Sequence, residues 1–474
     1  MKTSKVFFYL FISLLQIFLF INHSFAVDII ANTTISSDTT YDSMVVKSGY
    51  TLTLDATLHV TGDVTIETGG KITHSVVNTT TSSNLIVGGT LNINPGGKYD
   101  VSSKGNNSYG SGSQYAGATH AGLGFSSSKN PYGDIYNPID VGSYGYTSGR
   151  YGGGLVRFTA SNLINNGSIL ANGNPGGTSS YGGGAGGSIN IIVNGNISGT
   201  GIYQALGGGY YSYAYNGGGG RISIKYNSVS DLNTLKNNTS ATGPGTAGEG
   251  TIYLKDNSTG YQLLMFKGDG YASSYGTSTS VDLNSFDDVI IDGAGLTISG
   301  FNWNIPKSFE IKNRGFLTTN ASYPLSVSGT LTISSGSILT SNSPLTVDDL
   351  FLNNGTVTSA SSISVDNNLT LSGGTLNSNN SLFVSNDFNF TSGTFNNSFS
   401  GVVSGNASIK GTFYNNSLFS VSGDTIILNG GTITHSVVNT TTSSNLIVGG
   451  TLNINPGGKY DVSSKGNNSY GSGS

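Results

Sequence analysis

The chain has no cysteine in 474 residues, so it can form neither disulfides nor thiolate sites for metals or nucleophilic catalysis. Charge is scarce too: Asp, Glu, Lys and Arg together make up 9%, too little to solvate amphipathic helices. There are five histidines, three methionines and one tryptophan. No basic stripe is present that could hold nucleic acid. Glycine is abundant, at 71 residues, alongside many Asn, Ser and Thr. Such a composition would suit a disordered chain, but apolar residues still reach 36% and they are patterned.

The only long apolar run is at the start. Lys2 and Lys5 precede an almost wholly apolar stretch over 6–21, and Ser24-Phe25-Ala26 offers a small-x-small cleavage site. Residues 1–26 read as a secretory signal peptide, too short for a bilayer span. Its removal takes two lysines, leaving 20 − 2 = 18 basic residues against 24 acidic ones, a net charge of −6. An exported chain of this size without cysteine points to a bacterial envelope, secreted or at the cell surface, with no transmembrane segment after cleavage.

Two markers repeat in the C-terminal third. A Val-x-x-x-apolar-x-apolar unit begins at Val327, Val347, Val365, Val384, Val403 and Val421, spaced 20, 18, 19, 19 and 18 residues apart. Between them Gly-Thr-apolar recurs at Gly355, Gly374, Gly393, Gly411 and Gly431. A period near 19 built of short alternating strands means stacked coils, since one coil cannot bury its own apolar side. The expected fold is all-β: a right-handed parallel β-helix with Gly/Tyr-rich loop insertions. Asp366-Asn367-Asn368 and Ser385-Asn386-Asp387 fall at matching turns.

The middle of the chain uses wider coils. Strand-like Leu155-Val156-Arg157-Phe158, Ser188-Ile189-Asn190-Ile191, Arg221-Ile222-Ser223-Ile224 and Thr251-Ile252-Tyr253-Leu254 each follow a glycine cluster, 33, 33 and 30 residues apart. The extra length, rich in Gly, Tyr and Ser, reads as protruding loops. The organisation expected is a signal over 1–26, N-terminal coils over 27–104, Gly/Tyr-rich coils over 105–260, regular coils over 261–431, and the start of a second copy over 432–474. That second copy is literal: residues 72–113 and 433–474 are identical over 42 positions, an offset of 433 − 72 = 361. The chain stops inside it, so further copies are expected in the natural protein.

Catalytic patterns are thin. Gly243-Pro244-Gly245-Thr246-Ala247-Gly248 matches the dinucleotide fingerprint as a string, but a strand follows where a helix N-terminus is needed. His59, His74, His120 and His435 lack ligand spacing, and His435 merely duplicates His74. The glycine clusters lack the aspartates of calcium β-rolls. Asp288 and Asp292 would share a strand face and are the best carboxylate pair for a polysaccharide lyase or hydrolase, yet they also suit turn acids flanking a buried Val289-Ile290-Ile291. No cofactor or metal is expected. The positive binding signal is aromatic: Tyr211, Tyr213 and Tyr215 alternate, so an extended segment would put three rings on one face as candidate ligand contacts.

The Val-Ser-Gly-x-Leu-x-Ile rungs, as at 327–333, and their Gly-Thr-Leu returns resemble the passenger regions of haemagglutinin-like and autotransporter adhesins. The Gly-Gly-Gly-Ala-Gly-Gly-Ser-Ile and Gly-Gly-Gly-Gly-Arg-Ile-Ser-Ile segments resemble glycine-rich coils of large bacterial surface proteins. The resemblance implies a non-catalytic, structural or adhesive surface rod whose partners are glycans or a host or neighbouring cell surface. A carbohydrate-active β-helix enzyme is the second reading and an ice- or mineral-facing repeat the third.

Overall fold

The computed structural model describes residues 25–109, 116–145, 150–175, 182–209, 215–245, 247–268, 277–279, 283–298, 302–437 and 443–466. The expected signal therefore falls outside the described residues, save Phe25 and Ala26.

Short runs of β-branched residues and leucine, broken every few positions by Gly, Asn or Asp, form strands too short to stand alone. They are stabilised by stacking. The first two coils carry three strands each. Val27–Ile29, Thr33–Ile35 and Thr39–Tyr41 pair in parallel with Met44–Val46, Thr51–Leu54 and Thr57–Val60 of the next coil. The chain is a parallel β-helix, as its periodicity predicts.

The valine column of the C-terminal third is real. Val327, Val347, Val365, Val384, Val403 and Val421 lie directly over one another, coil upon coil. All six are buried. Alternation puts their neighbours outside; Phe383 and Val402, beside Val384 and Val403, are exposed. Some of the rings that enter the core face small residues in an adjacent coil, while Phe395 and Phe413 stack on each other at 4.7 Å. Phe419 sits over Gly401 and Phe388 over Ala407.

Two polar ladders lock the turns. At one corner Asp349, Asn368, Asp387, Asn406 and Asp424 each accept the backbone N–H of the next coil, at 3.0, 3.3, 2.8, 2.9 and 2.7 Å. At another, Ser341, Ser359 and Ser378 point inward and donate to carbonyls two residues on, at 2.7–2.8 Å. These bonds satisfy polar groups that a dry core would otherwise strand.

One pairing breaks the parallel rule. Strand Thr251–Asp256 turns back on itself and pairs antiparallel with Gln262–Lys267, which then continues in parallel with Asp288–Asp292 and Ser308–Lys312. The interior changes sides at this reversal. Ile252, Leu254, Leu263, Met265 and Ile290 belong to the N-terminal core, whereas Tyr253, Leu264, Phe266, Val289 and Ile291 belong to the C-terminal one. The seven-residue helix Leu232–Asn238, capped by Asp231, lays Leu235 over the end of the N-terminal core.

Candidate functional site

Glycine-rich segments over 116–125, 142–145, 150–154, 171–175, 182–187, 205–209, 215–220, 241–245 and 247–250 run side by side. The segment 182–187 lies at their centre. It exchanges backbone hydrogen bonds of 2.8–3.1 Å with Ala118, Ser143, Gly153, Asn174, Gly208 and Gly218, on six neighbouring segments. Backbones can approach this closely only where no Cβ intervenes. A Cβ on Gly186 would land on the Ala205 carbonyl, and one on Gly218 on the Gly122 carbonyl. The described parts of the insertions are thus a packed glycine bundle beside the coils, where the sequence suggested protruding loops. Glycine has no apolar period, so nothing in the pattern announces packing that consists of backbone alone.

The described residues that flank five further segments of the sequence lie close together at this bundle. Gly145 N–H bonds the Arg150 carbonyl at 2.8 Å, and Arg150 Nη1 donates to the Pro175 carbonyl at 3.1 Å. Gly183 N–H reaches Tyr215 at 2.8 Å, and Asn216 Nδ2 reaches the Pro244 carbonyl at 2.9 Å. Gly182 lies against Ala116. In sequence, the five segments are Gly-Ser-Gly-Ser-Gln-Tyr (110–115), Tyr-Thr-Ser-Gly (146–149), Gly-Gly-Thr-Ser-Ser-Tyr (176–181), Tyr-Tyr-Ser-Tyr-Ala (210–214) and Thr246.

Of the three candidate contact residues, Tyr211 and Tyr213 lie outside the described residues. Tyr215 is half-buried, holds a left-handed backbone at φ +66°, and meets Phe125 edge-on at 5.9 Å. Tyr109, which the sequence reading passed over, stands 60% exposed with its ring edge-on to Tyr132 at 5.1 Å. Its position next to a Gly/Ser run was the available signal.

Beneath the bundle, the segment 119–141 is strapped across the outer faces of three strands. Arg221 Nε donates to the Tyr132 carbonyl at 2.8 Å, Ser223 Oγ to the Tyr136 carbonyl at 2.7 Å, and Arg221 Nη1 to Thr251 Oγ1 at 3.1 Å. His120 is wholly buried here, with Nδ1 2.7 Å from the Gly186 carbonyl and its ring 4.6 Å from that of Tyr132. Burial, helped by the nearby Arg221 charge, drives its pKa down to about 3. Burial likewise brings Arg221 down to about 10, against the pull of Asp134, Tyr132 and Asp140. This neutral histidine and buried arginine fasten the strap; they are sealed from solvent.

Asp288 and Asp292 do share a strand face. Asp288, however, is occupied by Tyr261 Oη at 2.5 Å and by the Ser308 N–H and Oγ at 2.9 and 2.8 Å. Asp292 accepts from Asn313 Nδ2 at 2.6 Å. Val289, Ile290 and Ile291 between them are buried, but both acids lie within the strand Asp288–Asp292 rather than at turns. Asp292 borders a hollow of about 100 Å³ with Lys267 and Lys312, and a second hollow of about 220 Å³ lies on the other flank of the helix Leu232–Asn238. Lys267 Nζ is directed at the helix's last carbonyls, 2.6 Å from that of Asn237.

Among the described residues, no group of three His, Cys, Asp or Glu side chains could hold a metal ion. No described helix is long and apolar enough to cross a membrane. No family model, curated protein or solved structure matches the chain.

Proposed function

We propose that the protein is a non-catalytic adhesive rod, secreted or displayed at a cell surface, that contacts glycans or a neighbouring cell through the end of its glycine bundle. The carrying observation is that the described residues flanking five segments, four of them rich in Tyr, Ser and Gly, lie together at the glycine bundle. Binding surfaces built on loops favour that composition, because tyrosine supplies large, stiff, amphipathic contact area and Ser and Gly adapt around it. Tyrosine faces also suit sugar rings. Tandem 361-residue units would multiply weak contacts along one rod.

The test is adhesion of the chain to cells and immobilised glycans. Tyr211→Ser, Tyr213→Ser and Tyr215→Gly remove three rings, and glycine suits the left-handed backbone at 215. Adhesion is expected to fall by about tenfold or more, the scale of losing an aromatic anchor, with the far-ultraviolet circular dichroism unchanged. Unchanged adhesion overturns this reading. Polysaccharide cleavage abolished by Asp288→Asn or Asp292→Asn would establish the enzyme instead.

A further inference from the structure

The duplicated 42 residues appear in two surroundings. In the first copy Leu91, Ile93, Tyr99 and Val101 are wholly buried. Their duplicates Leu452, Ile454, Tyr460 and Val462 are 44%, 46%, 43% and 46% exposed. The lower sides of the two coils match: Asp63 accepts the Thr90 N–H at 2.7 Å, as Asp424 accepts that of Thr451 at 2.7 Å. What differs is the upper side.

In the first copy that side is covered by the coil 155–170. Leu85, Val87 and Leu91 lie opposite Phe158, Ala160 and Leu163, and Tyr99 lies opposite Ile169. A polar contact keys the same match. His74 Nδ1 lies 2.6 Å from the Ser75 carbonyl, which leaves Nε2 to accept the Leu155 N–H at 3.0 Å. His435 keeps the first contact, 2.7 Å from the Ser436 carbonyl, and no described residue donates to its Nε2. An apolar column, three strand edges and a histidine acceptor are thus held ready in the geometry that the coil 155–170 satisfies elsewhere in the chain. In the first described coil, by contrast, the inward Ile29 and Ile35 are buried.

We propose that the coil spanning 445–460 is an acceptor face for the coil 155–170 of a further 361-residue unit placed in tandem, so that the β-helix runs from unit to unit without a seam. The face is separate from the adhesive end, and this proposal stands or falls independently of that reading.

The absence of cysteine makes a direct test available. Ile454→Cys and Ile93→Cys are placed singly in the 474-residue chain, and Ile454→Cys also in a chain carrying residues 114–474 again after Ser474. With a maleimide, Ile454→Cys is expected to label about 100-fold faster than Ile93→Cys in the 474-residue chain, and to slow to the Ile93→Cys rate in the extended one. The pair Tyr460→Cys and Tyr99→Cys repeats the comparison should Ile93→Cys fail to fold. Asp placed at the counterparts of Val156 and Phe158 in the added unit should restore fast labelling. Unchanged labelling on extension overturns the proposal. So does slow labelling in the 474-residue chain together with a two-chain species in sedimentation, which would assign the face to a second copy's end.

Discussion

Histidine shows how much a single residue's meaning depends on burial. None of the four from His59 onward has ligand spacing in the sequence. In the fold they separate: His59 is exposed, while His74 and His120 are buried and their pKa values depressed by burial. The unfolded chain takes up these protons near pH 6.5, but the fold holds His120 neutral to about pH 3. Stability from His120 is therefore complete above pH 6.5 and lost as pH falls towards 3. At pH 5 the loss is roughly 2 kcal/mol for one fully neutral histidine. The urea midpoint should drop between pH 7 and 5, and His120→Gln should flatten that slope; a midpoint that does not move would refute the assignment. Asp140, whose carboxyl burial raises, acts in the opposite sense in the carboxylate range, so the histidine effect is best read above it. Val384 is the simpler case. Val384→Asp puts an unpaired charge into a stacked column and should cost several kcal/mol, far more than His59→Ala in the same urea titration.

At the scale of elements, the coils and the glycine bundle are held together by different physics. A strand such as Leu382–Val384 is held by alternate side chains packing inward, and it tolerates change outside: Phe383→Ser, at a 43% exposed position, should move the thermal midpoint little. The bundle is held by backbone hydrogen bonds between segments and has no room for a Cβ at its central glycines such as Gly186. Gly186→Val drives a branched side chain into the Ala205 carbonyl and should cost roughly 3 kcal/mol or more, within the range of severe core damage. Gly49, with φ +83° and open space around it, is the control. Gly49→Ala meets only backbone strain and should cost about 1 kcal/mol. Equal losses at the two glycines in thermal melts would deny the bundle its packed interior.

The whole molecule is two β-helical stacks sharing one sheet, with the interior crossing that sheet at the antiparallel pair. In strand Asp288–Asp292, neighbouring residues therefore serve different cores: Ile290 the N-terminal and Ile291 the C-terminal. Ile290→Asp and Ile291→Asp should both destabilise by about 3 kcal/mol or more, whereas in a regular-coil strand such as Leu382–Val384 only alternate residues are buried and sensitive. Tolerance of either substitution in urea unfolding would contradict the crossing. Stacked coils contact chiefly their neighbours, so unfolding should proceed in steps rather than as one transition, with the two stacks melting separately.

By itself the sequence determined the coil. Two markers at a common period near 19 residues require stacking, and strand alternation requires the valine column to point inward, because a slip of one residue would expose it. It also located the turn acids and the duplicated unit. Only the tertiary structure decided what lies between. The switch of interior at Asp256–Tyr261 leaves no sign in the period, because a strand buried on both faces reads as a plain apolar run. The glycine bundle leaves no sign either, since backbone packing has no side-chain pattern. The two fates of the identical 42 residues could not differ in sequence at all. What sets Leu91 apart from Leu452 is a neighbour, the coil 155–170, and burial belongs to the contact rather than to the residue.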